Sequence, residues 1–359
     1  MVWRDENRTD YEFMVGMFGF NFSLDKINLI KQQISINRWN EFFNPLYQYH
    51  NRYSYLSMDD FIQSDYIKFS KGSSMLYQIQ NSVRNNNFTE EKLPITDISE
   101  KYYRKFILLA KENNIPILVI LIPYSFSDDD NKKFNTAKDI AYEYNVPFID
   151  FNLNYDDYNL DFSEDFADHN HLNYKGAAKF TKYLGKYLKE NYDLPDRRGD
   201  PKYYSWEMNA KYEYKNVYNF ELKQYTNLNE YIEKVKNADN YVIGISMLGN
   251  YQNNDAVVQR IAANFNINNI YLQNASYVID NNKLIYSSSG SNNYLFHKDI
   301  GNYTDLVVQN GQKLSINRVN YIRTQNGINM VIYDKFTEQI VDNIYLEYID
   351  NAINPTIKR

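Results

Sequence analysis

The stretch Pro116-Ile117-Leu118-Val119-Ile120-Leu121-Ile122-Pro123-Tyr124 decides how the first half of the chain folds. Its residues between the prolines are all aliphatic, with no polar alternation. A run of that kind and length suits a parallel strand buried on both faces. Upstream, Asp97-Ile98-Ser99-Glu100 matches a capping box. Behind it Tyr103, Phe106, Ile107 and Ala110 recur at helical spacing. Asn113-Asn114 ends that helix, and Ile115-Pro116 prevents its continuation. Downstream, Asp128-Asp129-Asp130 opens a second helix, where acids favour the N-terminus. Phe134, Ala137, Ile140, Ala141 and Tyr144 lie along one of its faces. Val146-Pro147-Phe148-Ile149-Asp150-Phe151 is the next buried strand. Strand, helix and strand at this spacing predict a right-handed βαβ unit.

The next segment, residues 165–180, reads DFADHNHLNYKGAAKF. The chain has only 4 histidines, and two of them, His169 and His171, stand here behind Asp168. Asn173 is placed to cap a third helix, whose apolar stripe is Ala177, Phe180, Leu184, Tyr187 and Leu188. In an open parallel sheet, ligands bind outside the carboxyl ends of the strands. The loop follows the strand ending at Phe151, so it reaches that edge. A histidine beside a helix N-terminus has its protonated form disfavoured, and a neutral imidazole is what a general base needs. Asp168, three residues before His171, can fix the tautomer through the other ring nitrogen. Two other readings stand beside this one. The segment can be a hydrogen-bonded loop entering a helix. It can also be a metal site through Asp168, His169 and His171, although no further ligand cluster stands out in the sequence.

Past Tyr192 the texture changes. Asp193-Leu194-Pro195-Asp196-Arg197-Arg198-Gly199-Asp200-Pro201 mixes Pro, Gly and alternating charge, as a linker does. A solvated linker accounts for Arg197-Arg198 better than an anionic-polymer site. Beyond it a helix is expected near 227–236, a strand at 241–247 and a helix at 255–264. Strand-like pieces with turn signals follow: Ser276–Asp280, Asn281-Asn282, Lys283–Ser287, Asn326-Gly327 before Ile328–Tyr333, and Ile340–Tyr348. This pattern predicts a small α+β domain.

Bulk composition bounds the function. At 359 residues the chain is too long for one ordinary core, so two domains are expected. The hydrophobic share is 43%, and 36 tyrosines supply much of it. Tyrosine buries a ring yet wants a partner for its hydroxyl, so the mean hydropathy of -0.65 understates the core. A net charge of -6 with interspersed signs argues against nucleic-acid partners. With Cys 0, disulfides, thiolate catalysis and cysteine-ligated metals are excluded. No cofactor is indicated. The polar start MVWRDENRTDYEF has no signal-peptide form, and Ile117–Pro123 is far below spanning length, which predicts a cytoplasmic chain as written. Asp128–Asp130 lacks the glycine and terminal glutamate of a calcium loop and reads as a helix start.

Asp168, His171, Leu172, Asn173 and Gly176 form an Asp-x-x-His-Leu-Asn-x-x-Gly pattern entering an amphipathic helix. This resembles the last motif of SGNH/GDSL-type hydrolases. Tyr49-His50-Asn51-Arg52-Tyr53-Ser54-Tyr55-Leu56 and Asp59-Asp60-Phe61 resemble bacterial members associated with surface polysaccharides. The resemblance covers residues 20–205. It implies a flavodoxin-like three-layer α/β domain with Asp168 as triad acid, His171 as base and His169 as a bystander. Gly-x-Ser, the family's nucleophile turn after the first strand, has no counterpart. Phe13–Phe20 is a strand candidate with no serine turn behind it. Ser23 in FNFSLDK reads as a helix cap, and Lys71-Gly72-Ser73-Ser74 is a turn with no buried strand leading in. The resemblance therefore implies a domain lacking its first strands, surface-associated if upstream sequence is missing.

Farther on, Leu314-Ser315-Ile316-Asn317, Asn326-Gly327-Ile328-Asn329-Met330-Val331-Ile332-Tyr333-Asp334 and Val341-Asp342-Asn343-Ile344 look like the strand pair of interleukin-like EMT inducer (PANDER-like) domains. These imply an interaction or glycan-associated module. The expected organisation is an SGNH-like α/β domain over 1–205 and a PANDER-like α+β domain over 206–359. The expected activity is ester hydrolysis or O-acyl transfer on a bacterial cell-surface glycan, through Asp168 and His171. The alternative is a non-catalytic glycan- or protein-binding module. The partner in either case is a surface polysaccharide or its precursor, with no membrane span.

Overall fold

Thr96, one residue before the expected start, begins the first long helix: its hydroxyl accepts the Ser99 N–H and Asp97 falls inside the first turn. The computed structural model describes residues 21–43, 71–250, 255–268, 273–290, 294–301, 303–310 and 312–359. Phe13–Phe20, the Tyr49–Leu56 segment with His50 and Arg52, and Asp59–Phe61 lie outside them. The described residues fall into two compact units, one within Met1–Ser64 and Met75–Pro195, the other within Asp65–Ser74 and Asp196–Arg359. The division falls in the Pro- and charge-rich stretch. There Arg198 pairs with Asp196, and Arg197 lies over the Tyr203 ring. Both halves are mixed α and β.

The first unit contains α1 (Leu24–Gln33), α2 (Trp39–Phe43), α3 (Asp97–Glu112), β1 (Val119–Leu121), α4 (Asp128–Glu143), β2 (Phe148–Asp150), a 3-10 helix (Phe151–Tyr158) and α5 (Tyr174–Asn191). Ser23 caps α1, its side chain accepting the Lys26 N–H. Ser127 and Asp130 form a reciprocal capping box on α4, which is the role of the acidic cluster. β1 and β2 pair in parallel, with Val119 opposite Phe148 and Leu121 opposite Asp150. Regular pairing covers only three residues of each apolar run. Alternate side chains enter two cores. Val119 and Phe148 join Tyr103, Ile107, Ala137 and Ile140 of α3 and α4. Ile120 and Ile149 join Phe151 and Tyr155 of the 3-10 helix, Phe166 of the loop after it and Phe180 of α5. Both faces of the pair are thus packed, but β1 is only half-buried and Ile122 is exposed, so the run is less buried than its continuous apolar sequence predicts. Phe106, expected to face the core, is 51% exposed, and with Ile98, Tyr102 and Leu109 it forms an apolar ridge along α3.

The second unit contains α6 (Tyr204–Leu222), α7 (Leu228–Asn237), β3 (Tyr241–Asn250), α8 (Ala256–Asn264), β4 (Gln273–Asp280), β5 (Lys283–Ser288), β6 (Leu295–Gly301), β7 (Thr304–Gln309), β8 (Lys313–Ile316), β9 (Val319–Asn320), β10 (Gly327–Asp334), β11 (Gln339–Ile349) and β12 (Ala352–Ile353). The order β12-β11-β10-β3-β4-β5 makes one antiparallel sheet, and β6-β7-β8-β9 a second. One face of the larger sheet packs under α6, α7 and α8 through Ile243, Ile245, Ile328 and Met330. Its other face packs on the smaller sheet, where Val242, Val278 and Val331 meet Leu306, Val308 and Leu314. β10 is therefore buried along its whole length, which explains the consecutive apolar residues Met330, Val331, Ile332 and Tyr333 in an antiparallel strand. Asn281 and Asn282, at φ +46° and +62°, make the tight β4–β5 hairpin. Among the described residues no helix is long and apolar enough to cross a membrane.

Candidate functional site

The site is built on the loop between the 3-10 helix and α5. Phe166 and Leu172 form an antiparallel bridge, and the Ala167 N–H donates to the His171 carbonyl at 2.9 Å. Asp168 to His171 is thereby closed into a narrow turn. Asn173 fixes this turn to the helix. Its side-chain oxygen accepts the Lys175 and Gly176 N–H groups, and its amide donates to the Glu164 and Phe166 carbonyls. It is fully buried with both ends of the side chain engaged. Gly176 lets the first turn of α5 lie against the loop, because a Cβ there would stand 2.3 Å from the Asp165 carbonyl oxygen. Asp165, also fully buried, accepts from the Asp161 N–H and from Lys179 Nζ.

Within the turn, Asp168 and His171 meet as the spacing predicts. Both carboxylate oxygens lie 2.9 Å from His171 Nδ1, and Oδ1 also accepts the Asn170 N–H at 2.7 Å. Desolvation alone would push the Asp168 carboxyl up. The hydrogen bonds from His171 and from the Asn170 amide outweigh it and hold the carboxyl below its ordinary value. Asp168 is therefore an anion at neutral pH, and an anion facing Nδ1 places the neutral imidazole's proton there. Nε2 is left with its lone pair outward. The ring is 57% exposed, and among the described residues no Ser or Thr hydroxyl bonds it.

The loop sits at the carboxyl ends of the parallel pair. The Ser125 N–H, just beyond β1, donates to the His169 carbonyl at 2.9 Å. At the same edge Asn152 receives the Tyr124 N–H and the Tyr155 hydroxyl, and donates to Asp150. Burial pushes the Asp150 carboxyl up despite the Asn152 hydrogen bonds. His169 contributes no side-chain partner to the pair. Among the described residues no group of three or more His, Asp or Glu side chains is placed to hold a metal ion.

Sequence reasoning missed the extended segment from Leu76 to Leu93 that holds this loop. Leu76 O accepts the Tyr174 N–H, the Gln80 N–H donates to Phe166 O, and the Ser82 N–H donates to Phe162 O. Val83 O takes the Ser125 hydroxyl at 2.7 Å. Ser125 thus touches the turn through its N–H, and its hydroxyl proton is engaged on Val83, away from His171. The Lys71-Gly72-Ser73-Ser74 turn is present, with Gly72 at φ +83°. It belongs to the second unit, where Lys71 Nζ donates to Ser205.

Asn329 of the second unit is fully buried and accepts the Arg323 and Thr324 N–H groups, so it pins the loop before β10. Gly327, at φ +153°, leaves no room for a Cβ beside the Leu346 carbonyl. Both residues are structural in this arrangement. Comparison with protein-family models, with curated proteins and with solved structures found no match.

Proposed function

We propose that the first unit is an SGNH-like, flavodoxin-type domain whose Asp168–His171 pair is the acid–base half of a site for ester hydrolysis or O-acyl transfer on a bacterial cell-surface glycan. One observation carries the reading. The imidazole is clamped through Nδ1 and leaves Nε2 open at the carboxyl-end edge of a parallel strand pair. Nε2 takes the proton of a serine hydroxyl as its oxygen attacks the acyl carbon, then returns it to the departing alcohol. The nucleophile and the oxyanion donors come from outside the described residues. The α3 ridge supports the flavodoxin-type reading, since an exposed apolar helix face is one that a further element would cover. The second unit is proposed as a PANDER-like interaction module, in which the Gly327-Ile328-Asn329 stretch shapes the strand pair.

The test is labelling of the folded full chain with a fluorophosphonate, read by intact mass and peptide mapping. One serine adduct is expected, and His171→Ala should lower its rate about 10²–10⁴-fold with the fold intact by circular dichroism. A folded wild type that gives no adduct ends the hydrolytic reading. The second reading, a non-catalytic glycan- or protein-binding module, then stands. It is favoured by the absence of a hydroxyl partner for His171 among the described residues.

A further inference from the structure

The helical face of the second unit carries a cleft that owes nothing to Asp168 or His171. Helices α7 and α8 bury their apolar sides on the sheet through Tyr231, Ile232, Val235, Val258 and Ile261. Outside that contact lies an open surface cleft of about 380 Å³, lined by the exposed Asn229, Glu233 and Asn237 and the half-buried Lys236 of α7 with the half-buried Arg260 and Asn264 of α8. The lining follows from helical spacing, since residues three and four apart share a face. Asn282 anchors the last turn of α7 by donating to the Lys236 carbonyl.

Three properties of the cleft point to a ligand. Its volume lies in the range of small-molecule sites, roughly 300–1,000 Å³. Every lining side chain is polar: three amides, one carboxylate and two cations. Its charges are also unspent. Some other lysines and arginines of the unit close on carboxylates, as Lys298 and Lys335 do on Asp280, Lys358 on Glu347 and Arg359 on Asp342. Among the described residues Glu233, Lys236 and Arg260 form no ion pair, although they face one space.

We propose that this cleft binds a small hydroxyl-rich anion, a monosaccharide carrying a carboxylate or a phosphate. Arg260, with Lys236 beside it, takes the anionic group, for which the guanidinium fork offers paired hydrogen bonds. The amides of Asn229 and Asn237 both donate to and accept from hydroxyls, Asn264 adds an acceptor and the one N–H it does not give to the Arg260 carbonyl, and Glu233 accepts from one more. A bare inorganic anion leaves the amides and the carboxylate unused. A lipid or a base finds no apolar or aromatic wall. The proposal is independent of the activity proposed for the first unit.

The test is calorimetric titration of the full chain with glucuronate, a glucose phosphate, inorganic phosphate and glucose. Glucuronate or the glucose phosphate is expected to bind at least about tenfold more tightly than glucose and than phosphate, and which of the two binds identifies the anionic group. Arg260→Gln with Lys236→Gln should weaken that binding at least tenfold, Arg260→Lys by a smaller factor, and His171→Ala not at all. The proposal is overturned if neither sugar anion binds, if glucose or phosphate binds equally well, or if the Arg260 variants leave the affinity unchanged.

Discussion

Asp168 acts on His171 by fixing where one proton sits. Two carboxylate oxygens at 2.9 Å from Nδ1 favour the Nδ1–H tautomer, the one that keeps Nε2 a base. Because the Asp168 carboxyl is held below its ordinary value, the interaction is fully present above that ordinary value. It is lost only as pH falls through the lowered one. Asp168→Asn places an amide against Nδ1 that can donate as well as accept, and the preference is removed. The expected outcome is measurable in histidine-¹⁵N spectra taken where the ring is neutral, with His171→Ala supplying the assignment. Wild-type His171 should be mainly Nδ1–H, and the Asp168→Asn protein should shift toward Nε2–H. A wild type already mainly Nε2–H would remove the base role. This pair was legible in the sequence because it is local: two side chains three residues apart, ahead of a capping asparagine. The segment supporting it was not, because Leu76, Gln80 and Ser82 hold the loop through backbone atoms, and backbone contacts leave no mark on residue type.

At the level of elements, helix starts were legible to within a residue and so easier to read than strand lengths. Asn173, Asn227 and Asp255 each cap a helix through a side-chain oxygen, and such a contact needs only its own few residues. An apolar run sets no limit on pairing, and so PILVILIPY overstates what pairs and how deeply it is buried. Helix α6 escaped notice for a related reason. Its aromatic residues are spread around the helix, with Tyr204, Trp206 and Tyr214 exposed and Tyr212 buried, and no stripe results. Strand β6 was missed because it is only half covered and turns Lys298 inward to Asp280. Helix α5 offers a contrast between two glycines. Alanine gains about 1 kcal/mol over glycine inside a helix. At Gly185 nothing lies within 4 Å of a new Cβ, so Gly185→Ala should stabilise by about that amount. At Gly176 the Cβ meets the Asp165 carbonyl at 2.3 Å, and that backbone is pinned by Asn173 N–H and Asp161. Overpacking against a fixed backbone costs about 1–3 kcal/mol or more, enough to reverse the sign. Urea unfolding of both variants decides it. A Gly176→Ala protein as stable as Gly185→Ala would mean that the loop is not seated on the helix as described.

At the scale of the molecule, each hydrophobic cluster is drawn from one unit. The two clusters of the second unit use only residues between Tyr218 and Ile357, and those of the βαβ region only residues between Ile95 and Leu184. A fragment of residues 196–359 therefore keeps every side chain of its own cores and should unfold as one cooperative transition. Within it Asp280, at the end of β4, joins the layers. It accepts from Lys298 on β6 of the smaller sheet and from Lys335, which follows β10 of the larger one. Desolvation pushes the Asp280 carboxyl up, but the two lysines outweigh it and hold it below its ordinary value. Its contribution is thus present above the ordinary carboxyl value and lost as pH falls through the lowered one. Hydrogen bonds to charged groups are worth about 1.5–3 kcal/mol. The lysine side chains are 31% and 26% exposed, so solvent screening lowers the expected loss in Asp280→Asn to about 1–2 kcal/mol at pH 7. Denaturation of the fragment as a function of pH should show that difference shrinking toward zero as acid protonates the wild-type carboxyl. A gap that stays constant down to pH about 3 would trace the loss to packing, and the charge would not be what joins the two sheets.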